Sequence, residues 1–434
     1  MSLFTNPLLP YRQDILSCGA TFISKEVSSV PIVAIDVWVS VGAAEEPEEY
    51  LGLSHFYEHM FFKGTKNLGV GEMDRAIKGL GGYNNAATAW DYTHYYVVVP
   101  SSGGQRAMEV LIDALRFPLF DPHEIESERQ VIYEEIKRHE DTPWSRFCEK
   151  FDETAYARCP YSRNILGTFE SLAGIDREVF LEFLRTKYTP ENITVVTVGD
   201  MDRNEVRDRL EHLLEGMSPS NCGVTNGAFE MIDSPQTFDL HMPVNQSYLL
   251  LGYPTPRIAG TRDEAILDLA SILLGEGRSS RLYTLLKEEL GLVSSISASC
   301  WSQVRAGLFV TEAATDEKNL PEVEKRTLDE LHRLSSTPPD EKELERGKKI
   351  ALANYAFSNE TVSSISHTYG SSRILGDIES VVRYPDMIQS ITSEELSSTL
   401  SRYVRDNLLC VGHLLPNERE ESELVTETPF PEDQ

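Results

Sequence analysis

The chain has 434 residues, with 69 acidic against 40 basic side chains and a formal net charge of −29. That balance argues against nucleic acid and anionic membranes as partners and favours basic ones, while the length calls for two or more domains with ample core. No window approaches a membrane-spanning apolar run, and six cysteines scattered without a Cys-x-x-Cys pair fit a reduced compartment. The first residues, Met1-Ser2-Leu3-Phe4-Thr5-Asn6-Pro7, lack the basic segment and apolar run of a signal peptide, so a cytoplasmic location is expected.

Val33, Ile35, Val37, Val39 and Val41 alternate with Ala34, Asp36, Trp38 and Ser40, which predicts a half-buried strand ended by Gly42. Glu45, Glu46, Pro47 and Glu48 read as a polar connection. It leads to His55-Phe56-Tyr57-Glu58-His59. A helix over 71–80 is broken by Gly81-Gly82, then Tyr83-Asn84-Asn85-Ala86-Ala87-Thr88 precedes a strand over 93–99. The amphipathic set Ala107, Met108, Leu111, Ala114 and Leu115 runs into Asp121-Pro122 and an acidic helix starting near Glu124. A strand over 193–198 closes this half, and 216–236, rich in Ser, Pro, Asn and Gly, reads as a linker.

The second half repeats that plan. Val323, Leu328, Leu331 and Leu334 form the apolar face of a helix that runs into Pro338-Pro339-Asp340, with another helix starting near Glu343 and a closing strand over 408–411. Four segments follow: 1–215, the linker 216–236, 237–416, and an acidic tail 417–434 expected to be disordered.

The chemistry concentrates at His55, Glu58 and His59. Positions i and i+4 of a helix lie one turn apart on one face, so both imidazoles can bind a single metal ion. Glu58 adjoins that face and can reach a water at the metal. This His-x-x-Glu-His order is that of the inverzincins. A catalytic zinc needs a third protein ligand from elsewhere and keeps one position open.

The stretch Gly52 to Thr65 resembles the signature of the pitrilysin family of zinc metallopeptidases, in its mitochondrial-processing-peptidase-like bacterial branch. In that family a glutamate about 76 residues after the second histidine completes the zinc site. The matching residue in Val131-Ile132-Tyr133-Glu134-Glu135 is Glu135, since 135 − 59 = 76. Glu128, seven residues earlier and nearly two turns away, matches a supporting glutamate on the same helix face, whereas Glu134 points about 100° aside. The resemblance implies an α+β fold of two homologous halves, each a mostly antiparallel sheet with helices on one face, facing each other around a chamber. It also implies one zinc ion per chain and a second half without metal ligands, where Gly347 and Asn354 stand opposite Glu128 and Glu135.

By the same resemblance, Asn85 and Ala86 lie on an edge strand that pairs with the backbone of an extended peptide. Many relatives carry an arginine and a tyrosine reaching toward the substrate from the second half. Here Lys287 and Ser294 stand at those positions, and neither lysine nor serine is an equivalent. Some family members divide the labour between two chains, and this chain resembles the zinc-bearing partner. The expectation is therefore a zinc endopeptidase acting on extended, possibly basic peptides. It would be the catalytic chain of a heterodimer whose other chain supplies Arg and Tyr, with a homodimer as the alternative. Two other classes compete: a non-catalytic subunit, opposed by the complete His55, Glu58, His59 and Glu135 set, and a protein with structural zinc. A structural site needs a fourth protein ligand. The nearest further histidine, His94, sits in a strand pattern suited to core or surface.

Overall fold

The computed structural model describes residues 5–219 and 231–417. The middle of the expected linker, 220–230, and the acidic tail from 418 lie outside the described residues.

The alternation noted around Val33 becomes strand β3 (Ile32–Val39) of a six-stranded sheet, formed with β1 (Arg12–Ile15), β2 (Thr21–Glu26), β4 (Tyr83–Thr88), β5 (Thr93–Pro100) and β6 (Ile193–Gly199). Its strand order is β1-β2-β6-β3-β5-β4. A second sheet contains β7 (Gln236–Met242), β8 (Ser247–Pro256), β9 (Val293–Ser302), β10 (Ala306–Thr315) and β11 (Cys410–Pro416), in the order β7-β11-β8-β10-β9. Without β1, the two orders superpose term by term. Each sheet has one parallel pair, β2 with β6 and β7 with β11, and is otherwise antiparallel. The duplicated plan read from the sequence is present in the strand topology.

The first half carries helices α1 (Leu53–Phe61), α2 (Glu72–Gly79), α3 (Gly104–Arg116), α4 (Pro122–Glu140) and α5 (Pro143–Tyr156), then α6 (Phe169–Ala173), α7 (Arg177–Lys187) and α8 (Arg203–Leu213). The second half carries α9 (Arg262–Gly275), α10 (Leu320–Ser336), α11 (Glu341–Phe357), α12 (Val362–Leu375), α13 (Ile378–Ser390) and α14 (Ser393–Tyr403). In the first half, Val33, Ile35, Val37 and Val39 pack against Phe56 and Phe61 of α1, Met108 and Leu111 of α3 and Ile132 of α4. In the second, Leu249, Leu251 and Phe309 pack against Leu269, Leu273, Val323 and Leu400. Burying one apolar face of each sheet under helices is the dominant stabilising term.

The opposite faces are covered by exchange. Phe147 and Phe151 of α5 lie on Leu250, Leu308 and Val310 of the second sheet. Ile365 and Tyr369 of α12 lie on Ile23, Trp38, Val196 and Val198 of the first sheet. Helices α5 and α12 occupy equivalent places in the two copies, each following the long helix α4 or α11. Each half thus lends its partner a helix, so neither sheet leaves an apolar face to water. Gly370 makes the second contact possible, because a Cβ there would come 2.0 Å from Nε1 of Trp38.

Candidate active site

Helix α1 is short, apolar on its sheet side and held at its start by a buried carboxylate. Gly52, at φ 89°, turns the chain into the helix, and a Cβ there would meet Leu166 O at 2.5 Å, so only glycine fits. Glu46 accepts the backbone N–H of Gly52 at 2.7 Å and that of Ser54 at 2.6 Å. Two donors that the helix leaves unpaired are satisfied in this way, at the end where the dipole favours negative charge. Burial still raises the Glu46 carboxyl, to about 7, against those hydrogen bonds and the Arg163 charge. Within the polar connection expected at 45–48, Glu46 is therefore a buried anchor, while Pro47 and Glu48 are exposed. The side chain of Glu45 is also enclosed, paired with Lys187 and with Arg305 of the second half.

Phe56, Tyr57, Met60 and Phe61 bury the sheet side of α1, which turns His55, Glu58 and His59 toward α4 and β4. Helix α4 starts on Asp121, whose side chain accepts His123 N at 2.8 Å, with Pro122 in the first turn. Ile125, Ile132 and Ile136 bury one face of α4. The register sends Glu128 and Glu135 toward α1. Oε2 of Glu135 lies 3.8 Å from Nε2 of His55 and 3.7 Å from Nε2 of His59. Glu134 faces water instead and pairs with Lys137 at 2.7 Å. Tetrahedral zinc with nitrogen and oxygen bonds of about 2.0–2.2 Å places its ligand atoms roughly 3.3–3.6 Å apart. The two nitrogens and one oxygen therefore suit that ion in chemical type, and both nitrogen–oxygen separations come within about 0.2 Å of that spacing.

Glu128 takes the other side of His59. Its Oε2 lies 3.2 Å from Nδ1 of His59, and its Oε1 is 2.5 Å from Nζ of Lys63. Burial would raise Glu128, but the His59 and Lys63 contacts outweigh it and hold the carboxyl below its ordinary range. An ionised Glu128 makes Nδ1 of His59 the donor, which directs Nε2 toward Glu135. Burial, aided by the charge of His59, lowers His55 to about 3, so its ring is neutral and fit to ligate.

Glu58 is mostly enclosed, and burial raises its carboxyl above the ordinary value, opposed by a hydrogen bond from Thr88 and the charges of His59 and His94. Thr88 Oγ1 donates to Glu58 Oε2 at 2.6 Å. Thr88 belongs to β4, which among the described residues pairs only with β5 and forms the edge of the sheet. On β4, Asn85 is exposed, and its Oδ1 accepts the N–H of Ala86 at 2.9 Å, while the Ala86 side chain packs on the core. His55, Glu58 and Thr88 open onto a cleft of about 580 Å³ also lined by Trp90, Trp144 and Asp152.

Lys287 lies apart from this cleft. Its Nζ donates to the Ser294 carbonyl at 2.6 Å and sits 5.2 Å over the Tyr283 ring, in a π-helical turn over Tyr283–Glu289. Ser294 Oγ donates to Gln246 Oε1 at 2.9 Å. At the positions opposite the site glutamates, Gly347 packs against Leu269 and Leu273, and Asn354 donates to Glu276 at 2.7 Å. Sequence reasoning missed Glu46 and the bond from Thr88 to Glu58. A glutamate beside a glycine-initiated helix and a threonine at the end of an edge strand were the available signals.

Two sheets duplicated in one chain, with a His-x-x-Glu-His helix facing a glutamate from the following long helix, define a class of metallopeptidase folds. The family model described as insulinase, peptidase family M16, matches residues 21–169, and that of the peptidase M16 inactive domain matches 174–351. The chain belongs to this peptidase family, the pitrilysin family. It is 28% identical to a protein of Bacillus subtilis described as the uncharacterised zinc protease YmxG, over 82% of this chain and 86% of the relative. It is 25% identical to the zinc protease PqqE of Helicobacter pylori, over 90% of each chain. A protease structure from Helicobacter pylori superposes with a TM-score of 0.87 at 24% identity, covering 94% of this chain and 100% of that one. The first half of the periplasmic protease PqqL of Escherichia coli shares the fold at TM-score 0.79 and 19% identity, covering 94% and 92%. Among the described residues no helix is long and apolar enough to cross a membrane.

Proposed function

We propose that this chain is a zinc-dependent endopeptidase that cleaves extended or unfolded peptides. One observation carries the reading: Nε2 of His55, Nε2 of His59 and Oε2 of Glu135 converge, with Glu58 on the same helix turned into the adjoining cleft. Those three residues would hold one catalytic zinc ion, and Glu128 would orient His59 from behind. When bound, zinc supplies a Lewis acid that acidifies water and polarises a peptide carbonyl. Glu58 takes the proton of the attacking water and hands it to the departing amine. Thr88 fixes one oxygen of Glu58 for that task.

The substrate backbone adds as a strand along β4, where the Asn85 side chain occupies the outward N–H of Ala86 until a peptide carbonyl takes its place. In the cleft, Trp90 and Trp144 stand beside Glu149 and Asp152. Burial, aided by Glu149, pushes Asp152 up to about 8, and a cation entering the cleft would favour its ionised form. Peptides with basic side chains fit those walls, in keeping with the net charge of −29.

Lys287 is engaged with Ser294 and Tyr283, which supports a two-chain enzyme in which a related partner brings Arg and Tyr to the zinc chamber. Zinc content, measured together with cleavage of an unfolded basic peptide by the wild type and by Glu58→Gln, tests the reading. Cleavage that needs both zinc and Glu58 supports it. A zinc-loaded wild type without cleavage, alone or with the partner, would indicate a non-catalytic subunit.

A further inference from the structure

Asp36, Trp38, His94 and Tyr96 share the face of the first sheet turned toward the second half. Asp36 and His94 are both buried, at 3% and 4% exposure. Nδ1 of His94 lies 3.1 Å from Oδ1 of Asp36. The imidazole is clamped between rings, stacked on Trp38 at 4.1 Å and on Tyr96 at 5.6 Å. Among the described residues, His94 is the one ion-pair partner of Asp36, although a buried carboxylate is costly unless a cation or several donors compensate. Above this pair stands His367 of α12, its ring 5.2 Å from that of His94 and 5.1 Å from that of Trp38. Gly370 lies one turn further along α12, and its close approach to Trp38 is what lowers His367 onto the sheet.

We propose that Asp36, His94 and His367 form a second divalent-metal site, for zinc, that ties α12 of the second half to the sheet of the first. One donor atom from each residue can be chosen so that all lie within 4.8 Å of one another. Tetrahedral zinc needs spacings of roughly 3.3–3.6 Å, a range the donors reach when the His367 ring adjusts toward Asp36 and His94. His367 is the exposed member and is the residue free to make that move. Two imidazoles and one carboxylate match the ligands zinc takes and leave a fourth position for water. The exposure of His367 also gives the ion a route from solvent. Asp36 and His94 are pre-ordered by burial and stacking, so only one side chain has to be immobilised.

The consequence is mechanical. The first half contributes two ligands from one sheet and the second half a third from α12, so an ion here fastens the junction formed by α12. It sits beside the catalytic cleft, because Ala87, the β4 partner of His94, lines that cleft. Binding to the joined form alone stabilises it by mass action.

The test counts metal in the full chain. Protein stripped by a chelator is equilibrated with zinc chloride, desalted and analysed. The wild type is expected to hold two zinc ions, His367→Ala one, His55→Ala/His59→Ala one, and the triple variant none. Zinc should also raise the melting temperature of His55→Ala/His59→Ala, a shift lost in the triple variant. Cobalt titrated into His55→Ala/His59→Ala should give the strong visible bands of a tetrahedral ion, a readout that leaves the new site unmutated. The idea is overturned if His367→Ala holds as much zinc as the wild type, or if His55→Ala/His59→Ala binds neither zinc nor cobalt. A chain whose zinc survives His55→Ala/His59→Ala but not the triple variant would uphold this site, whatever becomes of the catalytic one.

Discussion

Glu128 stands between two partners, with one oxygen 3.2 Å from Nδ1 of His59 and the other 2.5 Å from Nζ of Lys63. His59 and Lys63 together keep the carboxylate ionised, and the carboxylate in turn orients His59 with Nε2 toward Glu135. Replacing Glu128 by Gln keeps the volume and removes that relay. Zinc affinity should fall about 10–100-fold, as is usual when a group orienting a ligand is lost. Competition with a chromogenic chelator measures it, and unchanged affinity would reduce Glu128 to a partner of Lys63.

Glu58→Gln should keep zinc and the fold but lower peptide cleavage by at least about a hundredfold, because the amide cannot accept a proton. Turnover near the wild-type rate by purified, zinc-loaded Glu58→Gln would remove Glu58 from proton transfer.

Glu134 and Glu135 separate by direction alone. Glu135→Gln should release zinc on dialysis, since an anionic ligand is lost, while Glu134→Gln should keep its stoichiometry and lose only the exposed pair with Lys137. The reverse pattern would shift the register of α4 by one residue.

A pH profile reads the bond between Thr88 and Glu58. Hydrogen bonding to the carboxylate favours its charged form, so the hydroxyl opposes the upward push of burial. Thr88→Val removes that opposition, and the Glu58 carboxyl should titrate at higher pH than in the wild type. Glu58 acts as a base only when ionised, so the acidic limb of kcat/KM should move to higher pH in Thr88→Val. Rates measured from pH 5 to 8 would show it, and a limb that does not move would detach Thr88 from the base.

The helix bearing His55 and His59 was legible because an i, i+4 histidine pair has one geometric meaning on a helix. Glu135 was reachable only through the family spacing, since seven residues between two glutamates fit any solvated acidic face. The exchange of α5 and α12 was not legible. Phe147, Phe151, Ile365 and Tyr369 mark an apolar helix face but not which sheet it will cover. Glu46 was read as loop polarity because local sequence does not reveal that a helix start will close over it. His94 was rightly placed in a strand, but its company of Asp36 and His367 arises from chain segments far apart in sequence.

The last prediction concerns Lys287. Its ammonium donates to the Ser294 carbonyl and lies over Tyr283, and it does not line the cleft that holds His55 and Glu58. Peptide hydrolysis gains from donors aimed at the substrate carbonyl or its oxyanion, and losing one such donor typically costs a hundredfold or more. If a second chain brings those donors, Lys287→Ala should change turnover by less than about threefold, in the isolated chain and in the complex alike. The isolated chain should be a weak peptidase, and a related chain carrying Arg and Tyr should raise its turnover by about a hundredfold or more. Native mass measurement paired with kinetics on an unfolded basic peptide decides the matter. A homodimer with full turnover, crippled by Lys287→Ala, would place the substrate donor on this chain and end the two-chain reading.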